Sequence, residues 1–148
     1  MKLRDKLPDF PGNAEWLNGR VEKQELHGVP LLLHFWSAEC CVNEHLLPLI
    51  SIWNQQYRNA KQLQVVGVHV ARTAMERNRE RIVQNMTTYG ITYPVFLDDE
   101  GITITNYGIK NIPVAYLFDC NLHLRHIQAG TQGVKLLERR LRTIIGID

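Results

Sequence analysis

The apolar pattern of the chain is most continuous at Leu31-Leu32-Leu33-His34-Phe35-Trp36, where odd and even positions alike are apolar apart from one histidine. Such a run predicts a strand covered on both faces, as in the middle of a largely parallel sheet. A few residues later the period changes. Leu46, Leu47, Leu49, Ile50 and Trp53 recur at helical spacing, with Asn54, Gln55 and Arg58 on the opposite side, and this predicts an amphipathic helix from about Cys40 to Tyr57. Ser37 and Glu39 offer cap and first-turn chemistry at its start, and Pro48 inside it predicts a kink. Leu63 to Val70, rich in β-branched residues, predicts a second core strand. Strand, helix and strand in this order predict a right-handed parallel crossover.

Upstream, Met1 to Gly12 carries Pro8 and Pro11 and reads as an extended lead-in docked by Leu7 and Phe10. Ala14 to Val21 surrounds the turn signal Leu17-Asn18-Gly19 and predicts a short hairpin, followed by a polar connection from Glu22 to Gly28. Downstream, Arg72 to Tyr89 sets Ile82, Val83, Met86 and Tyr89 along one stripe, which predicts a surface helix whose arginines face solvent and whose end is capped by Gly90. Tyr93 to Leu97 predicts a short extended piece, and Ile102 to Tyr107 one or two helical turns before Gly108. Val114 to Phe118 and Leu122 to Ile127 flank Asp119-Cys120-Asn121 and predict an antiparallel hairpin. Gln132 to Ile145 predicts a closing amphipathic helix. The pattern is that of an α/β fold with a central mixed sheet, parallel core strands, an antiparallel C-terminal hairpin and helices on both faces. With 148 residues and 45% hydrophobic content, a single domain over 1–148 is expected, its residues 1–29 forming the N-terminal extension and short hairpin.

Charge adds mainly exclusions. A net charge of +2, with basic and acidic residues interspersed, gives no reason to expect nucleic acid or a membrane surface as partner. No apolar run has the length of a membrane span, and MKLRDKLPDF lacks the apolar core of a signal peptide, so the chain as written reads as cytoplasmic; the alternative is an exported or tethered protein whose targeting segment was removed. Three cysteines, an odd number without framework spacing, suit a reducing compartment. His34 and His69 do not stand at close ligand spacing with Cys40 and Cys41, and neither a metal nor a cofactor is expected. The pattern says nothing about oligomeric state.

The chemistry concentrates at Cys40, where a strand feeds a helix. Unpaired N–H groups and the positive end of the helix dipole favour a thiolate there, whereas the neighbouring Glu39 charge opposes it. Around it, Phe35, Trp36, Cys40 and Pro48 resemble the F-W-x-x-W-C-x-x-C motif and later proline of the thioredoxin superfamily, most closely its TlpA/ResA-type thiol-disulfide oxidoreductase branch. The Leu17-Asn18-Gly19 turn also resembles that branch. Two positions depart: Glu39 stands where the second Trp is usual, and Asn43 where the second Cys is usual.

The resemblance implies a thioredoxin-like fold with a cis proline at Pro113, in Asn111-Ile112-Pro113, facing the reactive cysteine. It also places His34 where thioredoxins carry a buried acid that moves protons, a task a buried imidazole could take over in part. Cys41 is a possible stand-in for the missing thiol, but adjacent Cα atoms lie about 3.8 Å apart against the roughly 4.4 to 6.8 Å of disulfides. Cys120, on the far turn, is badly placed to serve. Cys40, Cys41, Asn43, Pro113 and His34 are therefore the candidate site residues. The first expectation is a monothiol oxidoreductase that exchanges with protein or low-molecular-weight thiols and disulfides. A thiol peroxidase is a second expectation, because Ser37 precedes Cys40 at the spacing of the peroxiredoxin Thr, although Leu33 stands where that motif has proline. A non-catalytic binding or scaffold domain is the third.

Overall fold

In the computed structural model, which describes residues 1–40 and 42–147, the elements follow one another as β1 (Glu15–Leu17), β2 (Leu31–Trp36), α1 (Asn43–Tyr57), β3 (Gln64–Val70), α2 (Arg79–Thr88), β4 (Val95–Asp98), α3 (Ile102–Tyr107), β5 (Val114–Phe118), β6 (Leu124–Ala129) and α4 (Val134–Ile144). The strands form one sheet in the order β1-β4-β3-β2-β5-β6. β2, β3 and β4 are mutually parallel; β1, β5 and β6 run antiparallel to the strands they join.

Alternation along the strands builds two cores. Leu32, Trp36, Val65, Val95, Leu97, Ala115 and Leu117 meet the apolar stripes of α1, α2 and α4, among them Leu46, Ile50, Trp53, Ile82, Met86, Leu137 and Leu141. Leu31, Leu33, Phe35, Val66, Val68, Phe96, Tyr116 and Phe118 face the other way, onto Tyr107 of α3 and onto Leu7 and Leu26 of the N-terminal segment. β2 is buried at all six positions because each of its faces meets one of these cores. The N-terminal lead-in docks as Leu7 and Phe10 suggest: Leu7 is fully buried, its N–H donates to Leu122 O at 2.9 Å, and Phe10 packs against Trp16 and Phe96.

Three expectations are corrected. Leu17-Asn18-Gly19 does not turn a hairpin: β1 pairs with β4, and the Asn18 side chain is committed to Ile91 O and Tyr93 O, both at 3.1 Å. The helix expected from Arg72 starts only at Arg79, where the Asn78 side chain caps the Arg81 N–H; the residues before it form a loop with one short 3-10 turn at Met75–Arg77. Finally, α1 begins at Asn43 rather than near Cys40. Cys40 N donates to Ser37 O at 3.0 Å and Asn43 N to Cys40 O at 3.4 Å, bonds that span three residues and make successive turns instead of the four-residue ladder of an α-helix.

Candidate active site

Cys40 lies in the loop that leaves the C-terminal end of β2 and enters α1 through Val42, its N-cap residue. It is free and half-buried. The loop is held from several sides. The Ser37 carbonyl, beyond the end of β2, accepts both the Cys40 N–H and the Asn43 Nδ2–H, the latter at 2.8 Å. Asn43 is 4% exposed, so this amide is a buried clamp at the position where the family motif carries a second thiol. The next group in the chain, the Ala38 N–H, donates to His69 Nε2 at 3.0 Å. Ser37 C=O and Ala38 N–H belong to one peptide group, so a single plane is gripped at both edges.

Charge is arranged one residue away. The carboxylate of Glu39 receives Arg81 of α2 at two points, Nε at 2.6 Å from Oε1 and Nη2 at 3.1 Å from Oε2. Arg81, read from the sequence as part of a solvated helix face, thus meets the negative charge beside Cys40. Arg72, just past β3, donates from Nη2 to Lys110 O at 2.9 Å, tying its loop to the segment that leads into Pro113. Pro113 is buried at the start of β5, and the Ile112–Pro113 peptide is cis. β5 pairs with β2 through Phe35 and Val114, so one further step of that register sets Pro113 beside Trp36 at the same end of the sheet as the Cys40 loop.

His34 is separate from this cluster. Its Nε2 lies 2.7 Å from the Tyr93 hydroxyl, and burial lowers its pKa to about 3, so it is a neutral, hydrogen-bonded core histidine across the neutral range. His69, which is not among the candidate site residues, is the imidazole that touches the loop. It is fully buried, it pairs with Trp36 across β2 and β3, its ring stands edge-on to that indole at 4.9 Å, and burial lowers its pKa to about 4. The signal available in the sequence was its even spacing from Val65, which puts it on the α1 face at the strand end. Ser37 is 3% exposed and its hydroxyl accepts the Glu39 N–H at 3.2 Å, so it braces the turn. Cys120 sits on the β5–β6 turn, at the opposite end of β5 from Pro113. Cys41 lies outside the described residues. Among the described residues, no group of three or more His, Cys, Asp or Glu could hold a metal ion, and no helix is long and apolar enough to cross a membrane.

The chain as a whole is similar to known proteins. The AhpC/TSA family model matches residues 3–127. The thiol-disulfide oxidoreductase YkuV of Bacillus subtilis is 34% identical over 146 residues, covering 98% of this chain and 97% of that protein. The chain belongs to the thioredoxin-like, TlpA/ResA-type thiol-disulfide oxidoreductases. The thiol-disulfide oxidoreductase ResA of Geobacillus kaustophilus is 24% identical over 93% of this chain and 72% of its own length. A solved solution structure of a thioredoxin-like protein in the oxidized form superposes with a TM-score of 0.90 at 34% identity, covering 99% of this chain and 98% of that one. The mixed α/β sheet with parallel core strands and an antiparallel C-terminal hairpin is what the sequence implied; Cys40 lies at the β2–α1 junction, and Asn43 remains the departure from the family motif.

Proposed function

We propose that this oxidoreductase works through the one sulfur of Cys40. In the forward step the Cys40 thiolate attacks a disulfide R–S–S–R′; a Cys40–S–S–R bond forms, the R–S–S–R′ bond breaks, and R′S⁻ leaves with the electron pair. An external thiol, from a small molecule or a second protein, then attacks the mixed disulfide and returns Cys40 to its reduced form as the second disulfide is made. The observation that carries this reading is Asn43: its amide, buried and bonded to Ser37 O, occupies the position from which a second thiol would displace the partner. A free, half-buried Cys40 at the sheet end next to Pro113 supports it further. The partners are protein or low-molecular-weight thiols and disulfides.

The test is adduct mapping. Reduced protein incubated with glutathione disulfide should gain one glutathione on Cys40, the adduct should persist until thiol is added, and Cys40→Ser should abolish it. An adduct confined to Cys120, or one on Cys40 that is released without added thiol, overturns the monothiol reading. Rapid consumption of hydrogen peroxide with a sulfenic acid on Cys40 would assign the protein to peroxidase chemistry instead.

A further inference from the structure

The peptide group between Ser37 and Ala38 is the last rigid unit before the turn that presents Cys40, and its two polar edges are both occupied by side chains from elsewhere. On the carbonyl side the donors are Asn43 Nδ2 and Cys40 N, on the N–H side the acceptor is His69 Nε2. The two side chains differ in what they can be replaced by. Among the described residues, Ser37 O has two donors and keeps one if Asn43 is lost, whereas Ala38 N–H has His69 alone as its acceptor, in a place where Ala38 is 9% exposed and His69 is fully buried. A buried amide without an acceptor is unfavourable enough that the peptide would rotate to find one. Rotation of that plane would carry the Ser37–Cys40 turn with it.

We infer that His69 is a positioning residue for the redox site: as a neutral ring with its proton on Nδ1, it fixes the Ser37–Ala38 peptide through Nε2 and thereby sets where the Cys40 sulfur stands. The edge-on Trp36 indole and the β2–β3 register hold the ring for this task. His69 touches neither the sulfur nor a substrate in this role. The inference rests on Cys40 being the nucleophile, and goes beyond it by naming the side chain on the neighbouring strand that sets its geometry.

The test has a spectroscopic and a kinetic arm. In ¹⁵N-labelled protein, a through-hydrogen-bond coupling between the Ala38 amide nitrogen and His69 Nε2, together with the nitrogen shifts of a neutral ring protonated on Nδ1, is expected; a ring protonated on Nε2 overturns the inference without any variant being made. In the kinetic arm, Cys41→Ser/Cys120→Ser protein reacts with a small dipyridyl disulfide and with glutathione disulfide. His69→Leu, which removes the acceptor, should slow both reactions by about ten- to hundredfold, the same factor for each because the sulfur and not a binding contact has moved. His69→Gln, which can offer an amide oxygen near the Nε2 position, should recover most of the rate. Equal rates in wild type and His69→Leu, or a Gln variant as slow as the Leu variant, overturn the inference while leaving the Cys40 reading intact. An unreactive wild-type Cys40 defeats that reading, and the coupling still reports the clamp. Should His69→Leu not fold, the wild-type spectrum and the Gln variant decide.

Discussion

Asn43→Cys puts a thiol where this chain has an amide, and its consequences can be worked out from the loop. In the reduced variant the 2.8 Å bond to Ser37 O is lost, but Ser37 O keeps the Cys40 N–H, so no buried acceptor is orphaned. The loss is then that of one net hydrogen bond, about 1 kcal/mol. The Asn43 N–H to Cys40 O bond closes a four-residue turn, in which first and last Cα atoms lie within about 7 Å. Disulfides span about 4.4 to 6.8 Å, so the bridge can close with little backbone movement. Closing so short a loop stabilises by about 2 kcal/mol in the chain-entropy picture. The oxidised variant should therefore stand about 1 kcal/mol above the wild type and the reduced variant about 1 kcal/mol below it. For a chain of this size the swing between the two is a Tm difference of about 4 to 8 °C. The functional readout is stoichiometric. In a Cys41→Ser/Cys120→Ser background, the parent should release one equivalent of thiol from a dipyridyl disulfide and stop. The variant should release a second without external thiol, because the new thiol acts at an effective concentration of about millimolar or higher. A variant that releases only one equivalent, with no Tm difference between its redox forms, would refute the turn geometry from which these numbers follow.

Other perturbations probe the surroundings of the loop. In Gly67→Ala the added Cβ would sit 3.1 Å from His34 Nε2, 3.1 Å from Val95 Cγ2 and 3.3 Å from Trp36 Nε1, so three buried side chains would have to give by a few tenths of an ångström, and urea unfolding should show a loss of about 1–3 kcal/mol. Acid should destabilise the fold through its histidines. His34 and His69 have folded pKa values lowered from 6.5 to about 3 and about 4, so below pH 6.5 the unfolded chain binds protons that the folded one does not, and stability falls with pH from 6.5 until each folded pKa is passed. Urea midpoints measured across that window should fall less steeply for His69→Gln than for the wild type. Arg81→Ala removes the half-exposed partner of a surface ion pair and should change stability by about 1 kcal/mol or less. The uncovered Glu39 carboxylate should nonetheless slow Cys40 alkylation at neutral pH by about two- to fivefold, and Glu39→Gln in the same chain should restore the rate; no change in Arg81→Ala would show that the pair does not act on the sulfur.

Much of this architecture was legible because burial leaves period in a sequence. Leu31–Trp36 is buried at every position, and apolar at all but His34, because two cores meet on β2, and the strand ends where the pattern does. β5, β6 and α3 fall within a residue or two of their signals for the same reason. The misses arose where side chains bond to backbone. Leu17-Asn18-Gly19 carries a sound turn signal, yet Asn18 spends its amide on Ile91 O and Tyr93 O, so the chain leaves β1 without a returning strand. The apolar stripe that predicts α2 says nothing about Asn78, whose cap fixes the first turn. The start of α1 was misplaced because helical periodicity counts the residues that face the core, whereas the first turn of a helix is set by where its backbone N–H groups go. Here the Asn43 N–H, which a helix beginning at Cys40 would send to Glu39 O, goes to Cys40 O.

The two histidines show why a site can be only half-read from its sequence. His34 and His69 are both isolated polar residues in apolar strands, on the same face of adjacent parallel strands, both buried and both held neutral. The resemblance to thioredoxins favours His34, since it stands where they carry a buried proton-moving acid, six residues before Cys40. Register decides otherwise. Pairing of β2 with β3 sets His34 across from Gly67, where Tyr93 reaches its Nε2, and sets His69 across from Trp36, at the last rung of the strand, where the first free amide of the loop is Ala38. A shift of one residue in that register would turn His69 to the opposite face of the sheet. The contact with the redox loop is therefore a property of the β2–β3 pairing, written in two strands whose paired residues lie 33 positions apart and readable from neither alone.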